Sequence, residues 1–341
     1  MLYRPFLRMW KAMTYYLFKL RFTSAVHFGN SLSAVSLPAS GMTFCADRLF
    51  SALCQAAARR APEAPRQLCE LARSRRLKLS DAFPWKGERL YLPRPCLEAG
   101  AVRDTDAADR KVMKKVSYLP LEQYPAYLRS LSGGAAIDPK TLLVRFGEET
   151  TVTRAAVADG EDALPYAVGQ YRFDEGCGLY FLMGLEDSAG FAALAETIRQ
   201  IGIGGIGGKV SSGYGGFTVE TTCPVAELGS PQAKLLAGAL DAPEAALWVS
   251  LTASLPKEKE LDAALDGALY QVIRRGGFVQ ASGLAGAHKK QEQFFLAAGS
   301  TFRRTYDGDV YDVAPKGCPH PVYRYAAPMF LGVNQSWLTT D

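Results

Sequence analysis

Eighteen residues from Gln200 to Phe217, QIGIGGIGGKVSSGYGGF, hold the densest set of ligand-binding groups in the chain. They include eight glycines, Lys209, the paired hydroxyls of Ser211 and Ser212, and Tyr214. Glycine at this density costs chain entropy, and its use is backbone that a ligand or a second segment can approach closely. Lysine is a point charge for phosphate, and serine hydroxyls and successive backbone N–H groups form an anion nest. Val210 directly after Lys209 excludes a Walker A phosphate loop, which needs Ser or Thr there. A dinucleotide fingerprint is excluded as well, because a helical pattern precedes the stretch and a strand pattern follows it, the reverse of the required order. What remains is a helix-to-strand loop suited to a polynucleotide backbone held through its phosphates, with a tightly packed turn as the alternative.

Few other residues offer chemistry. His27, in the tripeptide His27-Phe28-Gly29, could be a general base, yet no carboxylate or lysine stands near it in the sequence, which favours a contact role. Asp47 could be taken for a nuclease aspartate, but it falls in the first turn of a predicted helix, where it complements the helix dipole. The three histidines (His27, His288, His320) and seven cysteines are dispersed without a CxxC pair. That pattern argues against a zinc site and a disulfide framework, fits a reducing cytoplasm, and suggests no cofactor. Net charge is +5, which permits a polyanionic partner without requiring one. Residues 14–223 hold 25 Lys and Arg against 22 Asp and Glu, and residues 224–341 hold 11 against 12.

Elements that would position these groups follow from periodicity. Tyr15–Val26 alternates as a strand. Phe44, Leu49, Phe50, Leu53 and Cys54 then repeat at helical spacing, and a second helix is expected over about Ala64–Arg76. LSDAFPW and YLPRP read as strand or turn, and residues 98–115 as a projecting loop or hairpin ending in RKVMKK. GLYFLMGL (178–185) is a buried strand, SAGFAALAETIRQI (188–201) an amphipathic helix, and GFTVETT a strand after the glycine loop. Beyond Pro224 the pattern repeats more weakly: strand LWVSLTASL, helix ELDAALDGALYQVI, strand GGFVQAS, and strands around Phe294 and Tyr323. Strand–helix–strand–strand–helix–strand is the skeleton of a ferredoxin-like domain. The expected fold is therefore α+β, with two ferredoxin-like (RRM-like) βαββαβ domains over 13–225 and 226–341. The first carries an insertion over about 85–150, and residues 1–12 are an N-terminal extension. No apolar run reaches the roughly 18–20 residues of a membrane span, so no membrane partner is expected.

Gly205-Ile206-Gly207, five residues, then Gly213-Tyr214-Gly215 has the GhGxxxxxGhG form of the RAMP superfamily of CRISPR proteins. YYLFKLRFTSAVHFG, FCADRLFSALC, DAFPW, YLPRP, CGLYFLM, GGFVQAS, FFLAAGSTF and YRYAAPMF extend the likeness from Met13 to about Gly332. Together they resemble the subunit-four family of the Csm complex, the type III-A CRISPR effector.

That resemblance implies a non-catalytic subunit that caps the 5′ end of the CRISPR RNA and holds its repeat-derived 5′ handle. It implies docking to the large polymerase/cyclase-type subunit and to the adjacent backbone RAMP subunit. On the family pattern Gly207, Gly208, Lys209, Ser211, Ser212, Gly213 and Tyr214 would grip the handle, with His27, Phe28 and Gly29 facing the same RNA. Arg48 and Arg154 are further candidates for RNA contact. The segment around 98–118 would be a thumb against the guide–target RNA duplex, with Arg110, Lys111, Lys114 and Lys115 near phosphates, although a basic run is commonly just a solvated face. Tyr214 could stack on a base or pack under the loop. FFLAAGST and YAAPMF read as core and subunit interface, and Lys289-Lys290 as a partner contact or a solvated pair. An alternative within the superfamily is a metal-independent CRISPR-RNA-processing endoribonuclease relying on a histidine. In that group the glycine loop lies near the C-terminus, whereas about 125 residues follow it here.

Overall fold

The computed structural model describes residues 13–29, 37–98, 107–156, 164–240, 242, 244–279 and 288–339. The expected extension (1–12), positions 99–106 of the insertion and part of the GGFVQAS strand lie outside them.

The chain opens with strand β1 (Thr14–Phe22), then helices α1 (Ala46–Ala58) and α2 (Ala64–Arg73) and short strands β2 (Leu77–Leu79), β3 (Phe83–Lys86) and β4 (Arg89–Pro93). Next come α3 (Ala107–Met113), β5 (Tyr118–Pro120), α4 (Tyr124–Leu131) and α5 (Pro139–Leu142). A long hairpin of β6 (Gly147–Ala156) and β7 (Leu164–Phe173) precedes β8 (Cys177–Leu185), α6 (Phe191–Gly204) and β9 (Phe217–Pro224). Helix α7 (Pro231–Leu240), β10 (Leu247–Ser250), α8 (Leu261–Leu265), β11 (Val272–Arg275) and β12 (Gln293–Leu296) follow. β13 (Thr301–Phe302), β14 (Val310–Asp312), β15 (Tyr323–Tyr325) and β16 (Phe330–Val333) complete the order.

One antiparallel sheet runs β5-β4-β3-β8-β1-β9, with β2 also paired to β8. Successive strand residues point to opposite faces, and here both faces are covered. Tyr16, Phe18, Leu20, Phe181 and Met183 pack with Leu49, Phe50 and Leu53 of α1 and Ile198 and Ile201 of α6. Leu17, Tyr180 and Leu182 face the other way, against Leu236, Val249, Leu251, Met329 and Leu331. This double burial explains why every residue of β8 is buried and why the strand reads as an unbroken apolar run. The chain after Pro224 therefore closes the second face of the first sheet, and it also sends Val310 and Tyr325 into the helix-side core.

Two expectations need correction. β1 ends at Phe22 rather than Val26, and His27–Gly29 lies in a connector held by isolated bridges at Val26 and Phe28. The helix expected over ELDAALDGALYQVI stops at Leu265; Leu269 bridges to Thr301, and the last two residues, Val272 and Ile273, enter the β11–β12 pair (Val272↔Leu296, Ile273↔Phe295). Beyond Leu265 the described residues form no further α-helix: β13 and β16 flank the earlier β10 in one sheet, and β11–β12 and β14–β15 are strand pairs.

Candidate nucleic-acid interface

Helix α6 ends at Gly204, and Gly205 (φ 85°) turns the chain out of the helix. The glycine stretch is then fastened onto the connector after β1. Thr23 N donates to Gly216 O, Gly216 N to Ser24 Oγ, Gly215 N to Ala25 O and Gly208 N to His27 O, all at 2.9–3.0 Å. Ile206 N donates to Gly215 O and closes the neck of the loop. At Gly215 (φ 78°) a Cβ would lie 2.1 Å from Ile206 O, so both conformation and space require glycine there.

Between the two glycine clusters, Lys209 adopts left-handed backbone (φ 59°) and starts a 3₁₀ turn over Val210–Ser212. The amides of Ser212, Gly213 and Tyr214 turn inward to Lys209 O and Val210 O. Those of Gly207, Lys209, Val210 and Ser211 bond to no other described residue. The nest expected from the sequence is thus narrowed to these four N–H groups, beside the partly buried Lys209 and the exposed Ser211, Ser212 and Gly213.

His27 sits beneath the nest, 7% exposed. Its ring packs against Gly208, where a Cβ would come 2.7 Å from His27 Cδ2. Nδ1 lies 2.7 Å from Gly169 O in β7. A carbonyl only accepts, so Nδ1 carries the proton and Nε2 holds the lone pair in the neutral ring. Burial holds the imidazole below its ordinary value of 6.5; the Gly169 bond opposes this, and Arg48 and Lys209 reinforce it.

The β6–β7 hairpin forms the other wall. Tyr214 OH donates to Gln170 Oε1 (2.9 Å), and Arg154 Nη2 donates to Tyr214 OH (3.2 Å). The Arg154 guanidinium lies 5.4 Å from the centre of the Tyr214 ring, and Lys209 Nζ lies 4.9 Å from that of Tyr166. His27, Gly207, Gly208, Lys209, Ser211, Ser212, Gly213, Tyr214, Arg48 and Arg154 therefore gather around one loop, and Gly29 follows in the same connector.

Besides His27, two side chains expected to meet RNA, Phe28 and Tyr214, are buried. Phe28 is fully buried among Phe22 and Phe44, so it is core under the site and not a surface for RNA. Tyr214 is 4% exposed, which resolves the sequence alternatives toward packing under the loop. Arg110 and Lys111 lie on α3, with Lys114 and Lys115 just after it, a helix that packs on α5. Among the described residues, no hydrogen bond or ion pair joins any of the four to the glycine loop.

Asp47 was expected to complement the α1 dipole. It does lie in the first turn, but its carboxylate is buried and held in a fork by Arg275, with Oδ1–Nη2 at 2.6 Å and Oδ2–Nε at 3.1 Å. Burial pushes this carboxyl up, and the Arg275 guanidinium outweighs that, holding it below its ordinary value. Arg324 Nε approaches at 4.0 Å. The N–H of Ala46 is instead capped from a distance by Asp81 Oδ1 (2.8 Å). Sequence reasoning missed Arg275, Arg324 and the hairpin residues Tyr166, Gly169 and Gln170. The alternation in EETTVTR and YAVGQYRF was the available signal for the hairpin, whereas nothing local marks the two arginines.

A layered arrangement of antiparallel sheets and helices around a glycine-rich helix-to-strand loop defines a mixed α+β protein of RAMP-like fold. A chain in the crystal structure of a Csm3–Csm4 subcomplex of the type III-A CRISPR-Cas interference complex matches it with a TM-score of 0.61 at 16% identity, over 94% of this chain and 99% of that one. One in a Csm1–Csm4 cassette in complex with pppApA matches with a TM-score of 0.59 at 20% identity, over 95% and 98%. At these identities the likeness is one of fold. In sequence, residues 243–333 match the CRISPR Csm4 C-terminal domain. The Mycobacterium tuberculosis CRISPR system Cms protein Csm4 is 35% identical over 317 residues, 91% of this chain and 95% of its own. Its Streptococcus thermophilus namesake is 30% identical over 326 residues, 94% and 99%. The chain belongs to the Csm4 family.

Proposed function

We propose that this chain is a non-catalytic RNA-binding subunit of a type III-A Csm complex that holds the 5′ handle of the CRISPR RNA in the cytoplasm. The observation that carries this is the set of amides at Gly207, Lys209, Val210 and Ser211 that bond to no other described residue, next to the Lys209 side chain and above His27. Arg48 and Lys209 are the charged groups acting on that histidine, which suits an incoming phosphate. Docking to the large polymerase/cyclase-type subunit and to a backbone RAMP subunit is supported by the similar chains found in Csm1–Csm4 and Csm3–Csm4 assemblies. The cations of α3 and its C-terminal side (Arg110, Lys111, Lys114, Lys115) are assigned to the guide–target duplex.

The first sheet supports a ferredoxin-like unit over 13–225. With β2 and β3 together as the second strand, β9-β1-β8-β2/β3 is the order fourth-first-third-second, and the insertion of about 85–150 leaves it after β3. Residues 226–341 are assigned to a second, reduced unit of that kind.

In a binding assay with the CRISPR-repeat RNA, Lys209→Ala with Ser211→Ala should lose affinity by about tenfold or more, since two charge-assisted contacts go together. Unchanged binding would sink the handle assignment. The endoribonuclease reading draws on the lone pair left at His27 Nε2. Cleavage of repeat RNA by the native chain that His27→Ala abolishes would replace the non-catalytic reading with that one.

A further inference from the structure

Helix α1 begins with an acid and a base side by side, and the fold separates their fates. Asp47 is taken by Arg275, bidentately, and by Arg324. Arg324 is fixed in turn by the carbonyls of Arg275 (2.9 Å), Gln291 (2.8 Å) and Gly276 (3.2 Å). Both carboxylate oxygens are thereby engaged by Arg275. Arg48, next to it in sequence, forms no ion pair with any described residue, and its Nη1 is buried without a hydrogen-bond acceptor.

A buried, unpaired guanidinium nitrogen is costly, and Arg275 adds like charge beside it. Burial pushes the Arg48 guanidinium down to about 10, and Lys290 belongs to the same charge group. The position of Arg48 is informative. Its guanidinium lies 5.3 Å from the centre of the Phe28 ring, the ring on which Gly207 rests. It also acts on His27 together with Lys209. Arg48 thus shares the Phe28 ring with Gly207, approaching it from α1.

We propose that Asp47, Arg275 and Arg324 are positioning residues whose closed network keeps the Asp47 carboxylate away from Arg48, leaving Arg48 free to seat one phosphate group of a bound polynucleotide. The assignment rests on the RNA-binding reading of the loop. It adds to that reading a phosphate seat on α1 and a dependence on strands β11 and β15, more than two hundred residues away in the chain.

The test is fluorescence anisotropy of the full chain with a labelled single-stranded oligouridine RNA over a salt series, with a thermal melt of every variant. Arg48→Ala should weaken binding about tenfold and reduce the salt slope by about 0.7, the share of one phosphate on a single strand. Arg48→Lys should keep the slope. Arg275→Gln should mimic Arg48→Ala, because Asp47 is released to neutralise Arg48. The double variant Asp47→Asn, Arg275→Gln should restore affinity to within about twofold of the native chain, since the amide that replaces the carboxylate carries no charge to turn on Arg48.

A merely structural network would leave the double variant as weak as Arg275→Gln, and that result overturns the positioning role. An unchanged slope in Arg48→Ala, with Lys209→Ala still weakening binding, overturns the phosphate seat and leaves the loop reading standing. Loss of effect in both, or no binding by the native chain, overturns the two together.

Discussion

At the residue scale, the fold biases His27, beneath the glycine loop, toward its neutral form. Its folded value lies below 6.5 because burial disfavours the imidazolium. Stability from the neutral, buried ring is therefore complete above pH 6.5 and is lost as pH falls from 6.5 through the lowered folded value. His27→Asn, which can keep a donor toward Gly169 O without titrating, should flatten the acid limb of a melting-temperature profile. A bound phosphate favours the imidazolium, so RNA affinity should rise as pH drops below 6.5, and His27→Asn should remove that rise. The loop glycines separate just as sharply. Gly215→Ala meets Ile206 O and a φ of 78°, so it should cost at least about 2 kcal/mol in denaturant unfolding. Gly213→Ala, with φ 83° but open space around it, should cost only the backbone strain, about 1 kcal/mol.

At the element scale, the site is a junction of three pieces: the loop after α6, the connector after β1 and the β6–β7 hairpin. Tyr214 ties loop to hairpin through its hydroxyl, bonded to both Gln170 and Arg154. Tyr214→Phe keeps the buried ring and deletes the tie, so stability should fall by about 1 kcal/mol. Hydrogen exchange of the loop amides should quicken more than that of β8, because the change is local. Short-range pattern made most elements legible: β8 as an apolar run, α1 and α6 as amphipathic helices, and β9 after the glycines. It failed at ELDAALDGALYQVI, where helical spacing continues past Leu265 but pairing with β12 captures Val272–Arg275. A strand ladder formed with residues about twenty positions away outweighs a few tenths of a kcal/mol per residue of helix propensity.

At the scale of the whole molecule, the two halves are not independent cores. Val249, Leu251, Met329 and Leu331 cover the second face of the first sheet, and Tyr325 reaches the other core, where its hydroxyl accepts from Leu79 N. Residues 13–225 expressed alone would expose the Leu17, Tyr180 and Leu182 face to water. Each such buried side chain contributes about 1.5–3 kcal/mol. The fragment should aggregate or melt without cooperativity, whereas the full chain should unfold in one calorimetric transition. Two separate transitions would contradict the shared core.

By itself, the order of residues determined the mixed α+β class, the helix–glycine loop–strand succession and the family resemblance, since each depends on periodicity or on spacing within about twenty residues. It also singled out Lys209, His27, Arg48 and Arg154, because their types are the ones that bind anions. Only the tertiary structure decided which of them gather. Phe28 and Tyr214 turn inward, Arg154 arrives on a hairpin, and Asp47 spends its charge on Arg275 rather than on its neighbour Arg48. Those outcomes depend on contacts between residues up to 228 positions apart. Burial and charge pairing at that range are settled by how the layers close, and no local spacing records it.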